Sequence, residues 1–373
     1  MTKVTGNFSI SARDGRARRG SLRTANGEVQ TPAFMPVGTH ATVKACSPEE
    51  VAQTGAEVLL CNFYHLSLRP GIGLIQELGG LHRFMGWSGS ILTDSGGYQL
   101  VSLGELVELD DGGVTFRSPY DGATIELTPT GVVEGQMRLG SDVIMALDQP
   151  VPYGTPTELA EVATHRTHLW AERCRQVDTG SSLLFGIVQG GFEPRARALS
   201  AELIAGLGFD GIALGGLVLG EPPPVRHLAI DACVEHLPEQ LPRYVMGLGT
   251  DIDLLEAITR GIDLFDCVLP TRLARTGTAL TDRGRISLRQ SRFRRDGRPL
   301  EEGCSCPACS SFSRAYLRHL YGAGEILAHR LISLHNLCHL GRLMGEVRQA
   351  IGEGQLQTLV GRRRRLLGEG PSA

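Results

Sequence analysis

Apolar residues along this chain come in short, nearly continuous runs, each closed by a polar or glycine-bearing turn. Eight such runs recur, over 31–38, 57–62, 91–94, 142–148, 183–189, 211–215, 244–248 and 263–267. Runs of this length without polar alternation read as strands covered on both faces, the pattern of parallel sheets. Between many of them the period lengthens to that of an amphipathic helix. Ser47-Pro48-Glu49-Glu50 supplies an N-cap, a proline at the first helical position and a glutamate at the third, and predicts a helix start. Thr155-Pro156-Thr157-Glu158 repeats the signal and predicts a helix to about Val177. Residues 193–207 and 251–260 carry the same periodicity. Eight strands alternating with helices predict an α/β chain folded as a (β/α)8 barrel, the TIM-barrel architecture.

Two β-rich segments interrupt the alternation. Asp14-Gly15 and Asn26-Gly27 are hairpin signals near the N-terminus. Asp111-Gly112 and Asp121-Gly122 lie in 106–127, which predicts a small antiparallel meander between the third and fourth barrel strands. No long linker or internal repeat divides the chain.

Composition narrows the picture only locally. The net charge of −3 argues against a strong nonspecific nucleic-acid binder. The distribution argues otherwise: Arg283, Arg285, Arg289, Arg292, Arg294, Arg295 and Arg298 crowd one segment with only Asp282 and Asp296 among them. Such a patch suits RNA phosphates. The second cluster, 362–365, reads as a solvated face. The first residues carry no hydrophobic signal segment, and no stretch is long and apolar enough to span a bilayer, so the expected location is the cytoplasm.

Cys304, Cys306 and Cys309 fall within six residues, and His335 follows on a stretch that reads as helix. In a reducing compartment, thiolates this close are better explained by a metal than by disulfides. Three sulfurs and one imidazole meet the tetrahedral preference of zinc and leave no open position, so one structural zinc per chain is expected. A redox-active thiol cluster is the competing reading, and His329 and His339 are the nearest rivals for the fourth ligand. The other cysteines, Cys46, Cys61, Cys174, Cys233, Cys267 and Cys338, mostly read as small core residues. The whole of 1–373 is then one unit: a hairpin region over 1–30, the main barrel over 31–280, a zinc-binding subdomain over 281–340 and a closing C-terminal helix over 341–373.

In a barrel of this kind functional residues gather at the C-terminal ends of the strands. Those ends are Val37, Asn62, Asp94, Asp148, Gln189, Gly216, Met246 and Asp266. Three are aspartates in apolar surroundings, where a carboxylate needs a partner. Asp94-Ser95-Gly96-Gly97-Tyr98 adds glycines that admit a ligand close to the backbone and an aromatic ring that could stack on a planar base. Gly215-Gly216-Leu217 offers backbone amides and carbonyls. Two carboxylates, an amide side chain and backbone groups around an aromatic face suit a purine. The reaction class is glycosidic-bond chemistry, with one carboxylate as nucleophile and another handling protons. The residues themselves leave transfer to water and transfer to another base both open.

At these residues the chain resembles the bacterial tRNA-guanine transglycosylases, also called queuine tRNA-ribosyltransferases. The likeness spans nearly the whole chain: Asp94-Ser95-Gly96-Gly97-Tyr98-Gln99, Gln189-Gly190-Gly191, Gly215-Gly216-Leu217 with Gly220-Glu221, the run 265–272, and the Cys304, Cys306, Cys309 and His335 quartet. It implies a zinc-containing (β/α)8 barrel that replaces guanine at the wobble position of the tRNA anticodon loop with the 7-deazaguanine base 7-aminomethyl-7-deazaguanine. It assigns Asp266 as nucleophile and Asp94 as general acid/base. Asp148, Gln189 and the Gly216 amide would read the purine edge, the Leu217 carbonyl would take the aminomethyl group, and Tyr98 and Met246 would sandwich the base. Ser95 falls in the same substrate-binding set, and Arg272, Arg275, Arg285 and Arg289 are the expected RNA contacts. The family commonly forms homodimers through the zinc subdomain. Phe312, Tyr316 and His319, at matching helical positions, could form an aromatic dimer patch or pack in the core.

Departures are local. Pro150 stands where bacterial relatives usually carry cysteine, and Leu219 where they carry valine. Eukaryotic relatives have glycine there, so leucine favours the small precursor over queuine. The lack of a C-terminal RNA-binding extension argues against the archaeosine branch. A noncatalytic RNA-binding subunit would lack the nucleophile, yet Asp266 and Asp94 are both present. A base-releasing glycoside hydrolase leaves the zinc subdomain unexplained.

Overall fold

Each of the eight apolar runs forms a strand of one parallel sheet in the computed structural model, which describes residues 6–99 and 107–368. Residues 1–5, 369–373 and Leu106, the expected start of the meander, lie outside the described residues. Strands β1 (Phe8–Asp14), β2 (Ala17–Thr24) and β3 (Gly27–Thr31) pair antiparallel, with turns at the two hairpin signals. The barrel begins with β4 (Ala33–Pro36), β5 (Val58–Asn62) and β6 (Ser90–Asp94). The inserted meander follows as β7 (Val107–Leu109), β8 (Val114–Arg117) and β9 (Thr124–Leu127). The barrel resumes with β10 (Val143–Met145), β11 (Leu183–Val188), β12 (Gly211–Leu214), β13 (Arg243–Val245) and β14 (Leu264–Cys267). The hydrogen-bonding order is β4-β14-β13-β12-β11-β10-β6-β5. A parallel bridge between Val37 and Leu60 joins β4 to β5 and closes the ring.

Strand parity explains where the site lies. Successive side chains of a strand point to opposite faces. Val58, Leu60, Leu92, Phe185, Ile187, Ala213, Tyr244 and Leu264 share one core, inside the barrel. Leu59, Cys61, Ile91, Leu184, Val188, Ile212, Leu214 and Phe265 belong to another, between sheet and helices. Carried two residues further, the interior parity falls on Asn62, Asp94, Gln189, Met246 and Asp266. The N-terminal sheet covers the opposite end: Thr24 hydrogen-bonds Ser90 at 2.8 Å, Asn26 donates to Asp142, and buried Arg18 pairs with Asp263.

The helix signals are met with one adjustment. Ser47 and Glu50 form the anticipated capping box. The helix expected after Thr155 runs over Thr157–Arg175, but Thr155 does not cap it, because its hydroxyl donates back to Pro152 O at 2.8 Å. After β14 come a short helix, Leu269–Arg275, and a hairpin of β15 (Thr278–Thr281) and β16 (Gly284–Ser287). Helices Pro307–Ser311, Arg314–Gly322, Ile326–Gly352 and Leu356–Leu367 complete the chain. The 27-residue helix Ile326–Gly352 runs straight through position 340. Leu334, Leu337 and Val347 on it pack on the barrel, while Leu331 and Ile332 pack in a separate core with Cys304 and Cys306.

Arginines 362–365 are not a simple solvated face. Arg363 is buried and bonds Asp282 and Glu346, while Arg364 pairs with Glu256. Among the described residues no helix is long and apolar enough to cross a membrane.

Candidate active site and metal centre

Three carboxylates converge at the C-terminal mouth of the barrel. Asp94 closes β6, and both its oxygens accept: Oδ2 from Asn62 Nδ2 at 2.6 Å, Oδ1 from Phe63 N at 3.2 Å. Asp266, near the end of β14, accepts at Oδ1 from the Tyr244 hydroxyl at 2.6 Å and from Gly247 N at 2.9 Å. Asp148 lies past the end of β10, where the alternation breaks, and accepts from Gln189 Nε2 at 2.6 Å. Every donor here is neutral. Burial is the main force on each acid, disfavouring its charged form. It lifts Asp94 to about 7, with Asp266 and Asp148 adding repulsion, and Asp148 to about 6. Asp266 also rises through burial, restrained by the Tyr244 and Gly247 donors. The Tyr244 phenol is pushed well above its ordinary value by burial and then by Asp266, so it stays protonated and donates.

Glycines leave room among these groups. A Cβ on Gly97 would stand 2.1 Å from Asp148 Oδ1. A Cβ on Gly216, whose φ is +67°, would stand 2.4 Å from Gln189 Oε1. Gln189 Oε1 is buried and has no hydrogen-bond partner among the described residues. Leu217 is buried beside Gly216, and Val218 takes a left-handed φ of +62°, which is unfavourable for a β-branched residue. Glu221 fixes that turn by accepting from Val218 N at 2.7 Å and Leu219 N at 2.9 Å, with Arg226 on its other side. Ser95 is buried next to Asp94, Tyr98 is 58% exposed at the rim, and Met246 is half-buried against the interior core. Pro150 is buried just behind Asp148.

Sequence reasoning missed Tyr244, Arg197 and the part played by Glu221, and it named Asn62 as a strand end without a partner. Parity could have found Tyr244, which sits two residues before Met246 on the interior face. Arg272, Arg275, Arg285 and Arg289 are exposed, as are Arg283, Arg292, Arg294 and Arg295, and none forms an ion pair among the described residues. Arg298 of the same segment is instead tied to Asp296 at 2.8 Å.

The metal-ligand quartet assembles in one place. His335 Nδ1 lies 3.8, 3.4 and 3.3 Å from the sulfurs of Cys304, Cys306 and Cys309. Tetrahedral bonds of the usual zinc lengths set ligand atoms ~3.6 Å apart. His335 Nε2 meets Leu280 O at 2.7 Å, which leaves Nδ1 free to ligate and orients the ring. The neighbouring Asn336 bonds Pro270 O, Thr278 O and Leu280 N, anchoring the same helix turn. His329 packs against the Tyr321 ring and His339 bonds Asp251, so neither competes. Asp282, Glu301 and His339 also lie close together, but Arg342 and Arg363 already neutralise them. Cys338 is half-buried: it packs against the core that holds Cys304 and Cys306 and lines a cleft beside them. Phe312 and Tyr316 stack at 5.2 Å, but Phe312 precedes the helix that carries Tyr316 and His319. Tyr316 and His319 are exposed, not core.

Comparison with known proteins points one way. Residues 14–368 match the family described as queuine tRNA-ribosyltransferase. The chain is 51% identical over 352 residues to a queuine tRNA-ribosyltransferase of Pelotomaculum thermopropionicum, covering 94% of this chain and 95% of the relative. It is 49% identical to that of Desulforamulus reducens, covering 91% and 92%. It is 50% identical to that of a Synechococcus species, covering 93% and 94%.

Proposed function

This chain belongs to the queuine tRNA-ribosyltransferase family, and from that membership we propose that it exchanges the wobble guanine of tRNA for 7-aminomethyl-7-deazaguanine through a ribosyl–Asp266 intermediate. The observation that carries this reading is the convergence of two buried acids at the mouth, Asp94 lifted to about 7 and Asp266 with one oxygen held by Tyr244 and Gly247. Tyr244 and Gly247 occupy Oδ1 of Asp266, so Oδ2 is the attacking atom. It bonds to the ribose anomeric carbon as the bond to guanine breaks and its electron pair passes to the base. Neutral Asp94 supplies the proton that the departing base needs. Its carboxylate then takes a proton from the incoming base, whose nitrogen displaces Asp266. A group near pH 7 does both jobs with little penalty. Two displacements at one carbon retain configuration.

Asp148, Gln189 and the Gly216 N–H read the purine edge, the Leu217 carbonyl receives the aminomethyl group, and Tyr98 and Met246 cover the faces. Ser95 shapes the pocket floor beside Asp94. The exposed arginines Arg272, Arg275, Arg285 and Arg289 hold the anticodon loop by its phosphates. One zinc sits in the Cys304, Cys306, Cys309 and His335 quartet and has a structural role, because four protein ligands leave no open position. The Phe312–Tyr316 stack is the contact of a homodimer. The experiment is incubation of wobble-guanine tRNA with labelled guanine or labelled precursor base. Label entering the RNA at the wobble position supports the reading. Base release without incorporation would identify a hydrolase instead.

A further inference from the structure

Arg197 is a wholly buried guanidinium to which no carboxylate among the described residues hydrogen-bonds. It stands on the helix Pro194–Gly206, just after Gln189-Gly190-Gly191. Its donors go to three carbonyls: Nε to Gly191 O at 2.7 Å, Nη1 to Gly215 O at 2.8 Å and to Val188 O at 3.3 Å. Nη2 has no hydrogen-bond partner among the described residues. A Cβ on Gly216 would stand 3.2 Å from this Nη2 and 2.4 Å from the equally unpartnered Gln189 Oε1, so two orphaned polar atoms flank Gly216. Beyond the three carbonyls its neighbours are the Cys233 thiol, the Phe192 ring at 6.0 Å, and Glu221, which is itself engaged by Arg226 and by two backbone amides. A guanidinium keeps its charge even when buried. A cation buried this way is costly unless it serves something.

The Gly215 carbonyl and the Gly216 N–H belong to one peptide unit. The carbonyl end takes the hydrogen bond from Arg197, while the N–H end makes none among the described residues. Polarising a peptide at its oxygen strengthens its N–H as a donor. We propose that Arg197 is a positioning residue that, through the Gly215–Gly216 peptide, makes the Gly216 N–H a charge-backed donor to the 6-oxygen of the bound purine. This rests on the base-reading role given to Gly216 above. When the glycosidic bond breaks, its electron pair moves onto the purine and negative charge spreads toward that oxygen until Asp94 delivers its proton. A donor fixed in advance at that oxygen gains most at that moment. Arg197 touches neither base nor ribose and acts only through the backbone.

The test compares guanine with 2-aminopurine, which lacks the 6-oxygen, each as a competitor of labelled-guanine incorporation into wobble-guanine tRNA. Wild type, Arg197→Met and Arg197→Lys are compared, with thermal melting as the control for folding. Guanine's advantage over 2-aminopurine is expected to fall about tenfold in Arg197→Met, on the scale of a weakened oxyanion donor, and to return largely in Arg197→Lys. An unchanged advantage, or equal weakening of both bases, would overturn the inference. A wild type with no preference for guanine would instead refute the base-reading role of Gly216. Should the variants not fold, the wild type still decides. The 6-carbonyl stretch of bound carbonyl-labelled guanine must lie below its value in water, and a stretch at or above that value refutes the charge-backed donor.

Discussion

The barrel mouth and the network under the helix Ile326–Gly352 both gather acids, and they treat them in opposite ways. At the mouth Asp94, Asp148 and Asp266 meet one another and only neutral donors, and burial drives all three upward. In the network Asp251, Asp282 and Glu301 meet His339, Arg342 and Arg363. Burial would raise Glu301 too, but His339, the Asp282 N–H and Arg342 overcome it and hold it at about 2. The difference is the presence of cations. The acids proposed to trade protons near neutral pH are kept from full charges, whereas the acids that tie helices together are given them. Arg197 extends the same contrast: it bonds the Gly215 carbonyl rather than any of the three acids.

The comparison breaks most visibly at Asp266. Asp266→Ala should lower exchange by about four orders of magnitude or more while leaving melting and zinc content intact, as expected when a nucleophile is removed. Substantial exchange in the folded variant would refute the assignment. Asp94→Asn should lose roughly 10²–10⁴-fold in rate, since the amide neither gives nor takes the proton. It also sharpens the contrast through pH. A carboxyl that holds its proton to about 7 when folded, against about 4 when unfolded, makes the unfolded chain release that proton first. Stability therefore falls as pH rises between those values. The melting temperature of Asp94→Asn relative to wild type should rise from pH 5 to pH 8. A flat difference would mean that Asp94 is not raised.

On the other side, Glu301→Leu should destabilise the fold by about 1–3 kcal/mol, because it removes charged hydrogen bonds to the half-exposed Arg342 and beside the buried His339. Denaturant melts measure it, and the exchange rate per folded molecule should not change. Cys306→Ala should lose stoichiometric zinc and melt several degrees lower. A stable, zinc-free, inactive variant would instead give the metal a role in catalysis or RNA docking. The smallest change concerns specificity. Leu219→Gly should admit queuine, losing about 1–3 kcal/mol of discrimination against it, while keeping the precursor base as a substrate. Efficient queuine use by the wild type would show that Leu219 does not face the substituent.

The sequence alone carried the barrel, the meander, the clustering of Cys304, Cys306, Cys309 and His335, and the strand-end set of Asn62, Asp94, Asp148, Gln189 and Asp266. Each rests on a short-range signal. A strand buried on both faces must be apolar along its length, the metal ligands stand at fixed spacings, and an acid among apolar residues is conspicuous. The tertiary structure alone decided the partners. Tyr244 lies 22 residues before Asp266 and looked like core, yet parallel pairing of β13 and β14 brings its hydroxyl to the carboxylate. Arg363 looked solvated until the last helix folded onto Asp282 and Glu346. Phe312 and Tyr316 share a stack but not a helix, because Ser313 caps the new helix between them. Arg197 read as one more arginine of an amphipathic helix. Only closure of the barrel put the ends of β11 and β12 around it, where burial turned a helix cation into a neighbour of the barrel mouth. Periodicity in a chain states which face is buried. It does not state which residue, from which distant strand, will be waiting on that face, because that depends on the register and closure of the whole sheet.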